Sequence, residues 1–397
     1  MQINMSSDTA PSFGLFNLGF RPFFLLASLF ALVSILVWGG VYVYDWPLPR
    51  LPFSAMQWHA HEMIFGYGMA VAAGFLLTAV RNWTHIPTPK GIALAGLAAV
   101  WLAARLAGWL SPDQVLPMML LDLSFDLWFI VAIFSPILRA KQHDQIGIAS
   151  KIILLMLANL CFYLGASGVL EQGIEWGLYS GLYFLLALVF TMARRVLPFF
   201  IERGVGYPVT MNNRKWIDRS GMVLFILFVI ADVFWRYVPA TSALGALLFI
   251  IHAIRLSGWH TGGIWKKPLL WILYIGYSGA TFGFLLKALA PFTSFSPSLA
   301  LHAFAVGGIG MITAGMMARI SLGHTGRDIQ QHSRLLVPIF MLLIAAFAGR
   351  VLLPILAPTH YILWIGIAQS TWLLAFALFV WVYTPILINA RADGKPG

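Results

Sequence analysis

Apolar runs about as long as a bilayer is thick recur along the chain, separated by short breaks rich in Pro, Gly and basic residues. A helix rises about 1.5 Å per residue, so about 20 apolar residues cross a hydrocarbon core about 30 Å thick. On that measure the pattern predicts membrane-spanning helices over residues 22–44, 57–80, 91–109, 115–138, 150–170 and 176–197. Six more are predicted over 217–235, 241–257, 268–290, 298–320, 335–353 and 361–388. The last run is long for one crossing, which tilt accommodates. Loops are short apart from the segment 195–216, which leaves no room for a soluble domain. The expectation is an all-α polytopic membrane helix bundle of about twelve helices. It divides into an N-terminal segment (1–21), a single transmembrane bundle (22–388) and a tail (389–397). The first apolar run is long enough to span rather than to be cleaved, so no signal peptide is expected.

A weak repeat appears at a spacing of four helices. The second predicted helix ends Thr78-Ala79-Val80-Arg81, the sixth Thr191-Met192-Ala193-Arg194 and the tenth Met316-Met317-Ala318-Arg319. The second and tenth also both open with His-Ala, at His59 and His302. Either these are ordinary small-residue helix ends, or the chain is three four-helix units around a pseudo-threefold axis.

Composition removes most alternatives. Of 397 residues, 60% are hydrophobic and 10% charged, against about a quarter charged in a soluble domain. One cysteine, Cys161, excludes an intramolecular disulfide and a multi-cysteine metal site. The net charge of +11 is not read as nucleic-acid binding, because the excess lies in alternate loops. Of the 25 Lys and Arg, twenty fall on the side holding both termini, which places the termini in the cytoplasm.

Polar side chains inside a bilayer are costly, so each is a site candidate. The strongest group is Trp58-His59-Ala60-His61-Glu62-Met63, opening the second predicted helix. At about 100° per residue, His59 and His61 point about 200° apart and do not bind one ion in simple helical geometry. His59 is expected to share a face with Glu62 and Met63, with His61 facing a neighbouring site. His302 enters the tenth predicted helix at matching depth on the same side. A histidine from each of two helices at one depth is the arrangement of a bis-imidazole haem, or of half a copper site. Gly307, Gly308, Gly310 and Gly315, facing Gly66, Gly68 and Gly74, make room for a flat macrocycle or for close helix packing. His252, inside the eighth predicted helix, is a further metal-ligand candidate. His360 borders the outer group, and His260 and His324 fall at the interface.

Asp122 and Asp126 share a face of the fourth predicted helix. Asp122 either pairs with Arg105 or forms a proton path with Asp126. Asp232 and Arg236 have the spacing of an i,i+4 ion pair. Glu62 is the candidate for proton handling, or orients an imidazole. Arg21 in Arg21-Pro22-Phe23-Phe24 and Arg195 in Arg195-Val196-Leu197-Pro198-Phe199-Phe200 are candidates to clamp propionates, unless charge retention alone explains them. Walker, dinucleotide, nucleophile-elbow and Cys-His haem-attachment motifs do not occur, so any haem is non-covalent.

Several stretches together resemble the NnrS family of haem- and copper-containing bacterial membrane proteins. They are Leu15-Phe16-Asn17-Leu18-Gly19-Phe20-Arg21-Pro22-Phe23-Phe24, residues 58–63 with Phe65-Gly66-Tyr67, and Gly74-Phe75-Leu76-Leu77-Thr78-Ala79-Val80 with Asn82-Trp83. To these are added residues 195–200 and 302–326, so the resemblance spreads over most of the chain. It implies a twelve-helix inner-membrane protein carrying haem (b type) and copper, linked to nitric oxide in denitrification or nitrosative stress. The leading expectation is binding or detoxification of nitric oxide within the bilayer, with an electron donor as further partner. On this reading His59 and His302 hold haem, His61 the second metal, His252 is a weaker candidate for either, and Glu62 relays a proton. Two other readings stand beside it. One is a membrane nitric oxide reductase, and the other is a small-anion or metal transporter working by alternating access.

Overall fold

The computed structural model describes residues 13–395. Twelve long helices account for about three quarters of them. They are α1 (Phe20–Tyr44), α2 (Ala55–Thr84), α3 (Ile92–Leu110), α4 (Val115–Arg139), α5 (Ile146–Ala166) and α6 (Gly173–Gly204). The second half consists of α7 (residues 215–235), α8 (Val238–Trp259), α9 (Pro268–Leu289), α10 (Pro297–His324), α11 (Leu336–Leu356) and α12 (Tyr361–Ile388). Eleven helices among the described residues are long and apolar enough to cross a membrane. The remaining one, α7, carries Lys215, Asp218, Arg219 and Asp232 along its length. The chain is thus a multi-pass all-α membrane bundle, as the hydropathy pattern predicts.

Boundaries move where local chemistry overrides hydropathy. The fifth helix ends four residues before its predicted end, because Gly168 turns the chain with φ of 75°. Helix α6 continues through Pro198 to Gly204, beyond the apolar run. Helix α10 likewise runs on to His324, shortly before Gly326 at φ 72°.

The helices bearing His59 and His302 begin at well-defined caps. Ser54 and Gln57 form a reciprocal capping box at the start of α2, with Ser54 Oγ accepting from Gln57 N at 3.2 Å and Gln57 Oε1 from Ser54 N at 2.8 Å. Ser296 and Pro297 open α10. His59 and His302 therefore each sit in the second turn of a helix whose start is fixed.

The neighbour pattern repeats every four helices. Helix α1 packs on α2, α5 on α6 and α9 on α10; α3 packs on α4, α7 on α8 and α11 on α12. Contacts of α4 with α5, α8 with α9 and α12 with α1 close the ring. Helices α2, α6 and α10 meet inside it: α6 touches both others, and Tyr67 of α2 bonds Thr313 of α10 through their hydroxyls at 2.7 Å. The repeat seen in the sequence thus has three-unit packing behind it.

The glycines of α10 serve helix packing. A Cβ at Gly279 of α9 would stand 2.9 Å from the Gly307 Cα, and a Cβ at Gly308 would meet Ala280 at 2.8 Å. On α2, Gly68 admits Leu185 and Gly74 admits Phe24. The room is taken by neighbouring helices, which settles against the macrocycle reading of these glycines.

Phe13 pairs with Asn389, and Arg21 donates from Nη1 to the carbonyls of Leu387 (3.0 Å) and Asn389 (2.6 Å). The two ends of the described chain therefore lie side by side, at what is called below the terminal face.

Candidate functional site

Helix α2 divides two sites between its faces. Residues Glu62–Gly68 are π-helical, and so are Ala303–Gly310 of α10 and Ala348–Leu352 of α11. Such widened turns re-aim side chains and gather at functional sites. His59, Met63 and Tyr67 fall on one side of α2, and His61, Glu62 and Phe65 on the other.

The first side borders a cavity of about 110 Å³, the space open to the centre of a water-sized sphere. Its polar groups are His59, His302, Arg350 and Gln369; Trp38, Met63 and Trp372 contribute to an otherwise apolar wall. It lies toward the face opposite the termini, since His59 and His302 begin their helices there and Arg350 ends its own. His59 stacks flat on Trp38, with centroids 4.7 Å apart and planes at 6°. The His59 Nδ1 is buried without a hydrogen-bond partner. His302 Nδ1 lies 2.7 Å from the Ser298 carbonyl. A carbonyl only accepts, so Nδ1 carries the proton and Nε2 keeps its lone pair. Arg350 reaches the Ser298 hydroxyl at 3.5 Å from Nη2, while its Nη1 is buried and unpartnered. Ser34 Oγ donates to the Met63 sulfur at 3.4 Å.

The other side holds a sealed cluster of charges between α2, α3, α4 and α5. Arg105 stands between two carboxylates, with Nε 3.0 Å from Glu62 and Nη2 2.5 Å from Asp122. These contacts are close but poorly aligned as hydrogen bonds. His61 presents Nδ1 to Glu62 at 3.2 Å and Nε2 to Asn159 Oδ1 at 3.1 Å. Asn159 in turn donates to Asp126 at 3.1 Å, and Tyr163 donates to Asp122 at 2.7 Å. Every one of these side chains is buried. Asp122 and Asp126 do share a face, and Arg105 is the partner of Asp122.

Several placements correct the sequence reading. Glu62 does not share a face with His59; the π-helical turn carries it round to Arg105. His61 faces away from His59, as the spacing predicts, and lies in the charge cluster with both ring nitrogens engaged, so it is not at hand for a second metal beside His59 and His302. His252 lies between Phe190 and Phe284, with Nδ1 2.6 Å from the Tyr277 hydroxyl, in a separate part of the bundle. Asp232 pairs with Lys287 at 2.8 Å and accepts from Tyr183 at 2.5 Å, while Arg236 pairs with Glu175. His360 is exposed and bonds Thr359.

The two arginines expected to clamp carboxylates are at the wrong end for the histidine cavity. Arg21 ties the start of α1 to the end of α12, although its Nε and Nη2 have no partner. Arg195 donates to Gln145 at 2.5 Å and lies 4.3 Å from the centre of the Trp83 ring. It follows Leu185, a cavity residue, by ten positions, about 15 Å along α6. The cation that does face the histidines is Arg350. Its one signal in the sequence was an arginine within an apolar run on the side poor in basic residues.

Among the described residues, no three His, Cys, Asp or Glu side chains come together in a way that could hold a metal ion. His59 and His302 line the cavity together, with the thioether of Met63 as the soft donor in the same wall. The chain matches the family described as NnrS protein over residues 14–391. It belongs to the NnrS family. The match takes in every helix, both histidines of the cavity and the whole charge cluster. A comparison with curated proteins returned no match.

Proposed function

We propose that this chain is an inner-membrane protein that holds haem and copper non-covalently at the His59/His302 cavity and there binds or detoxifies nitric oxide. One observation carries the reading: two imidazoles from neighbouring helices border the same apolar cavity, His59 with its Nδ1 buried and unpartnered and His302 with its proton on Nδ1, which leaves a lone pair on Nε2. A buried, unpaired polar atom is costly, and ligands commonly supply the missing partner. Apolar walls with a few convergent polar groups are the usual form of a cofactor pocket. Membership of the NnrS family, with the associations implied by the sequence resemblance, supports the same reading.

The donor atoms suit the groups they would hold, and the cavity, at about 110 Å³, has to widen to take a macrocycle. His302 supplies a neutral imidazole for iron and His59 a second for iron or copper, and the Ser298 carbonyl fixes the tautomer of His302 in the way that outer partners orient metal-bound histidines. His59 with Met63 one turn later is a nitrogen and thioether set suited to copper. Arg350, whose Nη1 is buried without a partner, provides a guanidinium for a carboxylate. Held by one of the two imidazoles, haem iron would supply an open position for nitric oxide, leaving the other imidazole to the second metal. The protein's own part is to exclude water, fix the imidazoles and admit a small apolar gas from the lipid.

Absorbance spectra and metal analysis of detergent-purified protein, with and without dithionite, test this. A Soret band and bound copper are expected in protein made with ample haem. His59→Ala and His302→Ala should each lower haem content, whereas His143→Ala should not. Full haem retention in both cavity variants would sink the ligand assignment.

The buried acids across α2 favour a second reading, reduction of nitric oxide, because that reaction consumes protons as well as electrons. Product formed by reduced protein exposed to nitric oxide would separate turnover from binding.

A further inference from the structure

At the terminal face, a separate cavity of about 610 Å³ opens between the end of α6, the α8–α9 connection, the end of α10 and the loop after it. Its wall holds Arg203, Lys266, Lys267, Arg319 and Arg327 against one acid, Asp328. None of the five cations is ion-paired with a carboxylate among the described residues. Asp328 instead accepts from the Gln330 backbone at 2.8 Å. The Arg319 guanidinium lies 3.9 Å from the centre of the Phe200 ring, and Arg327 Nη1 is buried without a hydrogen-bond partner. Helix α9 starts in the same wall, and no side chain caps it. Its N-terminus adds partial positive charge to the cavity.

Retention of basic loops on one side of a membrane explains their sign but not their convergence. Cations kept only for topology relax apart into water. Here four separate segments aim five of them, unpaired, into one concavity. We propose that this pocket binds a ligand carrying two or more phosphate groups. The volume exceeds what a single small ion needs, and guanidinium forks match phosphate oxygens two at a time. A diphosphate lipid head group presents those oxygens, and basic pockets between membrane helices are a known form for it. A soluble diphosphate presents the same chemistry. The site shares no residue with the His59/His302 cavity and stands independently of what that cavity holds.

Two binding measurements on the full chain in detergent distinguish the sources. One is calorimetric titration with inorganic pyrophosphate; the other is native mass spectrometry after equilibration with cardiolipin or phosphatidylcholine. Binding of pyrophosphate, or selective retention of cardiolipin, is expected, and the arm that binds identifies the source. Arg319→Gln/Arg327→Gln should weaken it about tenfold or more, since each charge-assisted contact contributes at least that order. Lys141→Gln, an exposed lysine outside the pocket, should leave it unchanged. Should the arginine variant fail to fold, Lys266→Gln/Lys267→Gln is read by the same criterion. No binding in either arm, or equal binding by pocket variants and wild type, would overturn the proposal.

Discussion

Arg105 is the cation that balances the buried carboxylates of Glu62 and Asp122. It sits in contact with Glu62 and Asp122, with its side chain about 3% exposed, while Arg236 and Glu175 form a pair that is about half exposed. Removing one partner of a buried pair strands the other charge in a medium that solvates it poorly. Arg105→Met is therefore expected to cost about 3–5 kcal/mol, read as an earlier unfolding transition in detergent. Arg236→Met should cost no more than about 1 kcal/mol. Equal losses would mean that the cluster is not the anchor of the α2–α5 packing. The residues of both sites were largely legible beforehand, because a polar group in an apolar run stands out. The pairing of Asp122 with Arg105 followed from matching depth alone. The pairing of Asp232 with Lys287 did not, because local spacing pointed to Arg236 and the true partner is 55 residues away.

At the scale of elements, helix existence followed from length and hydropathy, and helix faces did only in part. Of the rotation expected for residues 59–63, Met63 beside His59 and His61 on another face both hold, whereas Glu62, where the helix becomes π-helical, turns to Arg105. Nothing in Glu62-Met63-Ile64-Phe65-Gly66-Tyr67-Gly68 announces that winding; it depends on how α2 packs against α1, α3 and α6. Close packing makes a second prediction. Gly279→Ala places a methyl against the backbone of Gly307, which no rotamer change relieves. A loss of about 1–3 kcal/mol is expected, despite the better helix propensity of alanine. Gly366→Ala in α12 meets nothing within 4 Å and should be neutral or stabilising by up to about 1 kcal/mol. Thermal unfolding of the two variants in one detergent checks the contrast; comparable stability would show that α9 and α10 can part without cost.

For the whole molecule, the ends of the described chain meet at one face, and the basic pocket opens there too. The excess of Lys and Arg on that side predicts that it faces the cytoplasm. Reporter fusions after residue 397 should be active in the cytoplasm, and fusions in the α2-proximal connection at residues 46–53 on the other side. The opposite result would invert the bundle and turn the basic pocket outward. The amino-acid sequence by itself determined the membrane class, the twelve helices and the candidate polar residues, because burial in lipid demands long apolar runs and makes each exception conspicuous. The tertiary structure alone decided which exceptions belong together. Helix rotation, π-helical turns and contacts between helices far apart in sequence put His59 with His302 and Arg350, and His61 with Glu62, Arg105 and the two aspartates. Those groupings depend on side-chain direction across helix interfaces, a property that no local pattern of hydrophobic and polar residues encodes.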